Sequence, residues 1–185
     1  MLLAEKQGEY NYIYTSTGKN DECYTHRYAV EPLLEFLEPF RNKIIWCPFD
    51  DESSEFVKVL QENNFKIIYS HIKYGQNFFN YEPKEWDLII SNPPFTGKKE
   101  IFQRALSFNK PFALIMALPW LNDKAPVRLF RDKDLQLLLF EERMTFKNQP
   151  EGKINFSSAY FCRAFLPQQI IIRDFSCRKQ IKIFS

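Results

Sequence analysis

A doubly wound, mainly parallel α/β sheet is the fold class this sequence predicts, on three observations. Short apolar runs suited to buried strands recur at Lys43 to Trp46, Phe65 to Ser70, Trp86 to Ile90 and Pro111 to Leu118. Segments with helical spacing lie between them, and that alternation builds parallel strands joined by crossover helices. Finally, the run Trp86 to Ile90 ends in Ser91-Asn92-Pro93-Pro94-Phe95. Two consecutive prolines stop a strand there, at the carboxyl end where open α/β sheets place their ligands.

The elements follow in order. After a polar leader, Val30, Leu33, Leu34 and Leu37 predict a helix over Arg27 to Phe40, with Pro32 tolerable in its first turn. Lys43 to Trp46 is the first strand and ends in Cys47-Pro48-Phe49-Asp50-Asp51. Ser53 or Ser54 caps the next helix, whose Phe56, Val57 and Leu60 form an inner stripe before it stops near Asn63-Asn64. Phe65 to Ser70 is the second strand, the surroundings of Phe78-Phe79 a short third, and Trp86 to Ile90 a strong fourth. Lys98 to Phe108 predicts a helix and Pro111 to Leu118 the fifth strand, followed by a loop through Pro119-Trp120. Leu135 to Phe140 and Ala159 to Leu166 supply two later strands, bridged by the polar segment Arg143 to Phe156. No repeat, low-complexity tract or linker interrupts the chain.

A chain of 185 residues suits one domain, spanning 1–185, and is short for two. With 45% hydrophobic and 17% aromatic residues, among them 19 Phe and 9 Tyr, it is rich enough in apolar surface to fold. Cys23, Cys47, Cys162 and Cys177 show no paired ligand spacing, and only His26 and His71 could join them, so no metal site is expected and the thiols suit a reducing compartment. The first ten residues hold no apolar segment of signal-peptide length and no membrane-length apolar run occurs, which predicts a soluble cytoplasmic protein with no membrane partner.

The net charge of +2 hides a split: residues 1 to 95 balance at −6 and residues 96 to 185 at +8. The basic half could face a polyanion through Lys98, Lys99, Lys124, Arg128, Arg131, Arg143, Lys147, Lys153, Arg178, Lys179 and Lys182. Ordinary solvated charge is the competing reading.

Asn92-Pro93-Pro94-Phe95 carries the chemistry. An exocyclic amine conjugated to an aromatic ring is a poor nucleophile, because its lone pair is delocalised. An Asn side-chain oxygen and the carbonyl of a backbone held still by Pro-Pro can accept both of its N–H hydrogens, favouring a tetrahedral nitrogen with a directed lone pair. An aromatic ring in the fourth place can stack on the base, which has to leave a duplex to be reached.

With these residues placed, the chain resembles the S-adenosylmethionine-dependent amino-group methyltransferases. Within them it is similar to small adenine-N6 enzymes of phages and mobile elements that lack a separate target-recognition domain. The resemblance rests on Asp21-Glu22-Cys23-Tyr24-Thr25 leading into Tyr28-Ala29-Val30, on Cys47-Pro48-Phe49-Asp50, on Gly75-Gln76-Asn77-Phe78-Phe79, on Asn92-Pro93-Pro94-Phe95 and on Ser157-Ser158-Ala159-Tyr160-Phe161. It implies a Rossmann-like class I methyltransferase fold, seven-stranded with the last strand antiparallel. It also implies S-adenosylmethionine as cofactor, with Tyr24 and Thr25 at its methionine end, Pro48, Phe49 and Asp50 as the floor after the first strand, and Asn77 and Phe78 near its adenosine. Asn92 and the Pro93 carbonyl would bind the target amine, Pro94 would fix the turn, and Phe95 would stack on the base.

Three departures stand out. The loop after the first strand, Cys47 to Ser53, has no glycine, although such loops usually need one for close approach of the ligand. Asn77 stands where the family has Asp, and His26 where Pro is common. The resulting expectation is methylation of adenine N6 in nucleic acid, DNA ahead of RNA, with selectivity from short loops, a specificity partner or a homodimer. The alternatives are a catalytically silent methyltransferase-like module that binds nucleic acid or protein, and a protein-glutamine N-methyltransferase, since a side-chain amide poses the same lone-pair problem.

Overall fold

The structure, a computed structural model, describes residues 23–147 and 157–175. Asp21, Glu22, Lys153, Cys177, Arg178, Lys179, Lys182 and most of the bridging segment before Phe156 lie outside the described residues.

Strands β1 (Ile44–Cys47), β2 (Lys66–Tyr69), β3 (Leu88–Ser91), β4 (Phe112–Ala117), β5 (Gln136–Phe140), β6 (Ser158–Arg163) and β7 (Ile170–Arg173) form one sheet in the order β2-β1-β3-β4-β6-β5-β7. All pairs are parallel except those of β6, which runs against both β4 and β5. This is a doubly wound, Rossmann-like, mainly parallel sheet of seven strands with one reversed. The reversed strand is β6, at the predicted Ala159 to Leu166, but the expectation that the last strand is the antiparallel one is corrected, because β7 follows it and runs parallel to β5. The two apolar faces hold separate cores. Ile45, Leu88, Ile90, Ile115 and Tyr160 pack under α1 (Arg27–Val30) and α2 (Glu55–Glu62). Trp46, Ile89, Leu114 and Phe161 pack under α3 (Lys98–Ser107) and α4 (Lys124–Phe130). Strands β3 and β4 are buried on both faces, which is why they carry apolar runs without alternation.

The predicted helix over Arg27 to Phe40 is corrected to three short pieces: α1, then 3-10 turns at Glu31–Phe36 and Glu38–Phe40. Pro32 and Pro39 each sit at the start of a 3-10 turn, where a missing N–H costs least, and each prevents the previous turn from continuing. Helix α2 starts as predicted, with the Ser54 hydroxyl accepting from the Phe56 amide at 3.2 Å. Asn64, at φ 59°, turns the chain out beyond its end.

The predicted strand at Phe78-Phe79 is absent. Asn77 Oδ1 accepts from the Phe79 amide at 3.0 Å and the Asn77 carbonyl accepts from Asn80 and Tyr81 at 3.0 and 2.8 Å, so local bonding makes a turn where β-propensity suggested pairing. The seventh strand is instead β7, paired in parallel with β5. Helix α4 was also unanticipated. Its Pro126 is the third residue, where the lost N–H would have had no partner within the helix.

Strand order reverses between β1 and β3: β1 is followed through α2 by β2 on one side, and β3 through α3 by β4 on the other. The carboxyl ends of these two strands therefore flank the crevice that open α/β sheets use for ligands.

Candidate active site at the carboxyl ends of β1 and β3

Asn92 follows β3 directly, and Pro93, Pro94, Phe95 and Thr96 lead to Gly97, which caps α3 in the left-handed region at φ 70°. The Asn92 side chain has a fixed orientation. Its Nδ2 donates to the Cys23 carbonyl at 2.7 Å and to Thr25 Oγ1 at 3.1 Å. A carbonyl only accepts, so the amide atom facing it has to be the nitrogen. The opposite atom, Oδ1, is buried and has no hydrogen-bond partner among the described residues. An acceptor left in that state is costly unless something else supplies a donor.

The segment holding Asn92 is itself anchored. Thr25, 7% exposed, forms an antiparallel bridge with Phe146, the Lys147 amide donates to the Tyr24 carbonyl at 2.8 Å, and the Thr145 amide donates to Tyr28 Oη at 2.9 Å. Phe95 packs edge-on against Phe146 with ring centroids 6.1 Å apart. Residues 23–28 and 144–147 thus make a two-segment strap over the end of β3. Neither Phe146 nor Thr145 carried a sequence signal, because the pairing joins segments more than a hundred residues apart.

Asp50, just beyond β1, is 6% exposed and fully engaged. Ser54 Oγ donates to its Oδ1 at 2.5 Å, and Ser91 Oγ donates to its Oδ2 in a short bond across the crevice. Burial pushes its carboxyl up to about 6, against the opposing pull of the two hydroxyl donors, and the charge of Asp51 adds to the rise. The rim beside it is closed by Lys73 on Asp51 and by Tyr74 Oη donating to Glu52 at 2.6 Å, tying the loop after β1 to the loop after β2.

The remaining predicted residues divide. Pro48 is buried, Phe49 is half-buried against Phe78 at 4.8 Å, and Tyr24 is exposed. Phe78, 1% exposed, is a core ring among Trp46, Phe49 and Phe108. Asn77 spends its side-chain oxygen on its own turn. The structure therefore brings Thr25 to Asn92, and Asp50 to the end of β3, while Phe78 lies with Phe49 and Trp46 and Asn77 bonds within its own turn.

No family model matches this chain. No curated protein matches it either. Among solved structures it is similar to a predicted O-methyltransferase from Agrobacterium tumefaciens, at 10% identity and a TM-score of 0.38, over 80% of this chain and 85% of that one.

The buried polar side chains of the described residues are Thr25, Asp50, Ser70, Asn77, Ser91 and Ser158. Asp50, Ser70 and Ser91 lie at the carboxyl ends of β1, β2 and β3, and Thr25 lies over Asn92. Ser158 opens the antiparallel strand β6 opposite Ala117, so it too is at this edge. Its Oγ, like Asn92 Oδ1, is buried without a partner among the described residues. Polar side chains gathered at one edge of an otherwise apolar sheet, with the Ser158 hydroxyl and the neighbouring Asn92 oxygen left unspent, fit a polar ligand. Ser158 was legible only as part of the Ser157 to Phe161 resemblance.

The basic residues sort by their partners. Lys147 pairs with Glu55 at 2.6 Å, Lys99 lies 3.8 Å from Glu100, and Lys98 lies 3.9 Å from Asp123. Lys124, Arg128, Arg131 and Arg143 are exposed and have no ion pair among the described residues. No helix among the described residues is long and apolar enough to cross a membrane.

Proposed function

We propose that this chain is an S-adenosylmethionine-dependent methyltransferase acting on the N6 amine of adenine in nucleic acid, with DNA ahead of RNA as the acceptor. The observation that carries the reading is the buried, unpartnered Oδ1 of Asn92 at the switch point of the sheet, followed by two prolines. Such an oxygen suits an N–H donor, and an exocyclic amine offers two. Asn92 Oδ1 would take one and the Pro93 carbonyl the other, leaving the nitrogen lone pair directed out of the base plane. Phe95 would hold the base by stacking. Tyr24, Pro48 and Phe49 would line the cofactor's place, with Asp50 and Asn77 fixing the loops that carry them. When bound, the cofactor supplies an electrophilic methyl group: its carbon–sulfur bond breaks, a carbon–nitrogen bond forms, and the amine releases a proton to solvent.

A second reading, the catalytically silent module, is favoured by the loop after β1, where no glycine opens the backbone and both Asp50 oxygens are spent. Incubation with labelled S-adenosylmethionine and separate DNA, RNA and protein acceptors distinguishes the readings. Label on adenine N6 supports the first, and label on protein glutamine replaces it with amide methylation. Nucleic-acid or protein binding with no cofactor binding and no label in any acceptor supports the silent module.

A further inference from the structure

We propose that Thr25, with the backbone carbonyl of Cys23, is a positioning residue for Asn92: the pair holds the amide so that Oδ1, and not Nδ2, is offered to the acceptor amine. The inference rests on the functional reading above and replaces the cofactor contact that resemblance implies for Thr25.

An asparagine amide is nearly symmetric in shape, so an unrestrained one presents either atom. Only the oxygen can accept from an amine. Here the choice is made by two acceptors, the Cys23 carbonyl at 2.7 Å and Thr25 Oγ1 at 3.1 Å, both on the Nδ2 side. Turning the amide over would press oxygen against a carbonyl oxygen at the same distance, which is repulsive. The two acceptors are held independently of Asn92, through the Thr25 bridge to Phe146 and the Lys147 bond to the Tyr24 carbonyl. The strap also carries the ring against which Phe95 packs. One anchored segment thus sets the orientation of the amine acceptor and supports the ring beside it.

The discriminating variant is Thr25→Val, which keeps the β-branched shape and removes the acceptor. It is paired with Thr25→Ser, which keeps the acceptor and loses a methyl group. Turnover on duplex DNA should fall on the order of tenfold in Thr25→Val and return close to the wild-type value in Thr25→Ser. Cofactor affinity measured by calorimetry with S-adenosylmethionine should be unchanged in both. The Asn92 side-chain amide signals, assigned by their loss in Asn92→Ala, should exchange with solvent faster in Thr25→Val than in wild type. Weakened cofactor binding with unchanged turnover would return Thr25 to the cofactor and overturn the proposal. Unaltered exchange of the Asn92 amide in Thr25→Val would also overturn it. If the wild type methylates neither DNA, RNA nor protein, the functional reading fails by itself. The amide exchange then decides the latch separately.

Discussion

Asp50 and Asn92 occupy matching places, each just past the carboxyl end of a central strand and facing the other across the switch point, yet their bonding differs. Both Asp50 carboxylate oxygens are taken by hydroxyls of the same chain, one from α2 and one from β3. Asn92 spends only its donor half, and its acceptor half is left buried and unpaired. A polar group satisfied within the fold stabilises the crevice; one left half-satisfied has capacity for something that arrives later. By that criterion Asp50 is the girder between β1 and β3, and Asn92 is the group that the proposed function assigns to the acceptor amine.

The sharpest way to break this contrast is Asn92→Ala. Losing a hydrogen-bond partner that matters most as the amine changes geometry should cost about 2.7–4 kcal/mol in turnover. Cofactor affinity should hardly move. Thermal unfolding should shift only by the loss of the strap contacts, about 1 kcal/mol. Near-normal turnover would remove Asn92 from the chemistry.

Asp50 is probed through stability instead. Its carboxyl titrates near 6 in the fold against 3.8 unfolded, so the folded state holds the proton more tightly. The contribution is complete below the unfolded value and is lost as pH rises through about 6, a decline of about 3 kcal/mol. Urea unfolding of wild type and Asp50→Asn across that window should give a stability difference that moves with pH in this direction, because Asn does not titrate. A difference that stays flat would show that Asp50 is not buried as described.

How much of this was legible in sequence depends on the range of the interaction. The strands β1 to β6, the Ser54 cap and the placement of Asn92 followed from local patterns. The Phe78 segment misled because aromatic β-propensity was outweighed by the Asn77 side chain bonding its own backbone. Helix α4 was hidden by Pro126, which reads as a breaker until its third-residue position is known. The strap could not be read at all: Thr25 meets Phe146 through backbone pairing, which no residue type encodes. Thr25 and Asp50 are named by the sequence, and the structure puts one against Asn92 and the other against the end of β3. Their roles needed the partners Asn92, Ser54 and Ser91 to become visible.

A smaller effect separates Phe95 from Asn92. Phe95→Ala should weaken the productive complex with the acceptor base by about 1–3 kcal/mol of lost stacking, seen as slower turnover at subsaturating DNA. At saturating DNA the rate should recover substantially, whereas that of Asn92→Ala should not. Equal recovery in both variants would erase the distinction between a group that holds the base and one that acts on its amine.

The smallest effect concerns the acceptor's backbone, where the same contrast between spent and unspent groups applies to charge. Lys99 and Lys147 have carboxylate neighbours, whereas Lys124, Arg128 and Arg131 do not pair among the described residues. Lys124 and Arg128 lie at i and i+4 in α4 and Arg131, at i+7, caps its end in helical conformation, so the three share one face over about 10 Å. That face can follow a run of phosphates, and each neutralised phosphate releases condensed counterions. Changing the three to Ala, a good helix former, should reduce the slope of log affinity against log salt for duplex DNA by up to about 2.7, at about 0.9 per contact. The loss should be similar for every sequence, since phosphate contacts position a protein without reading bases. Changing Lys99 and Lys147 should move the slope less, because their charge is already partly compensated. Titrations of labelled duplex at several salt concentrations check both variants, and a triple variant with the wild-type slope would take α4 off the binding face.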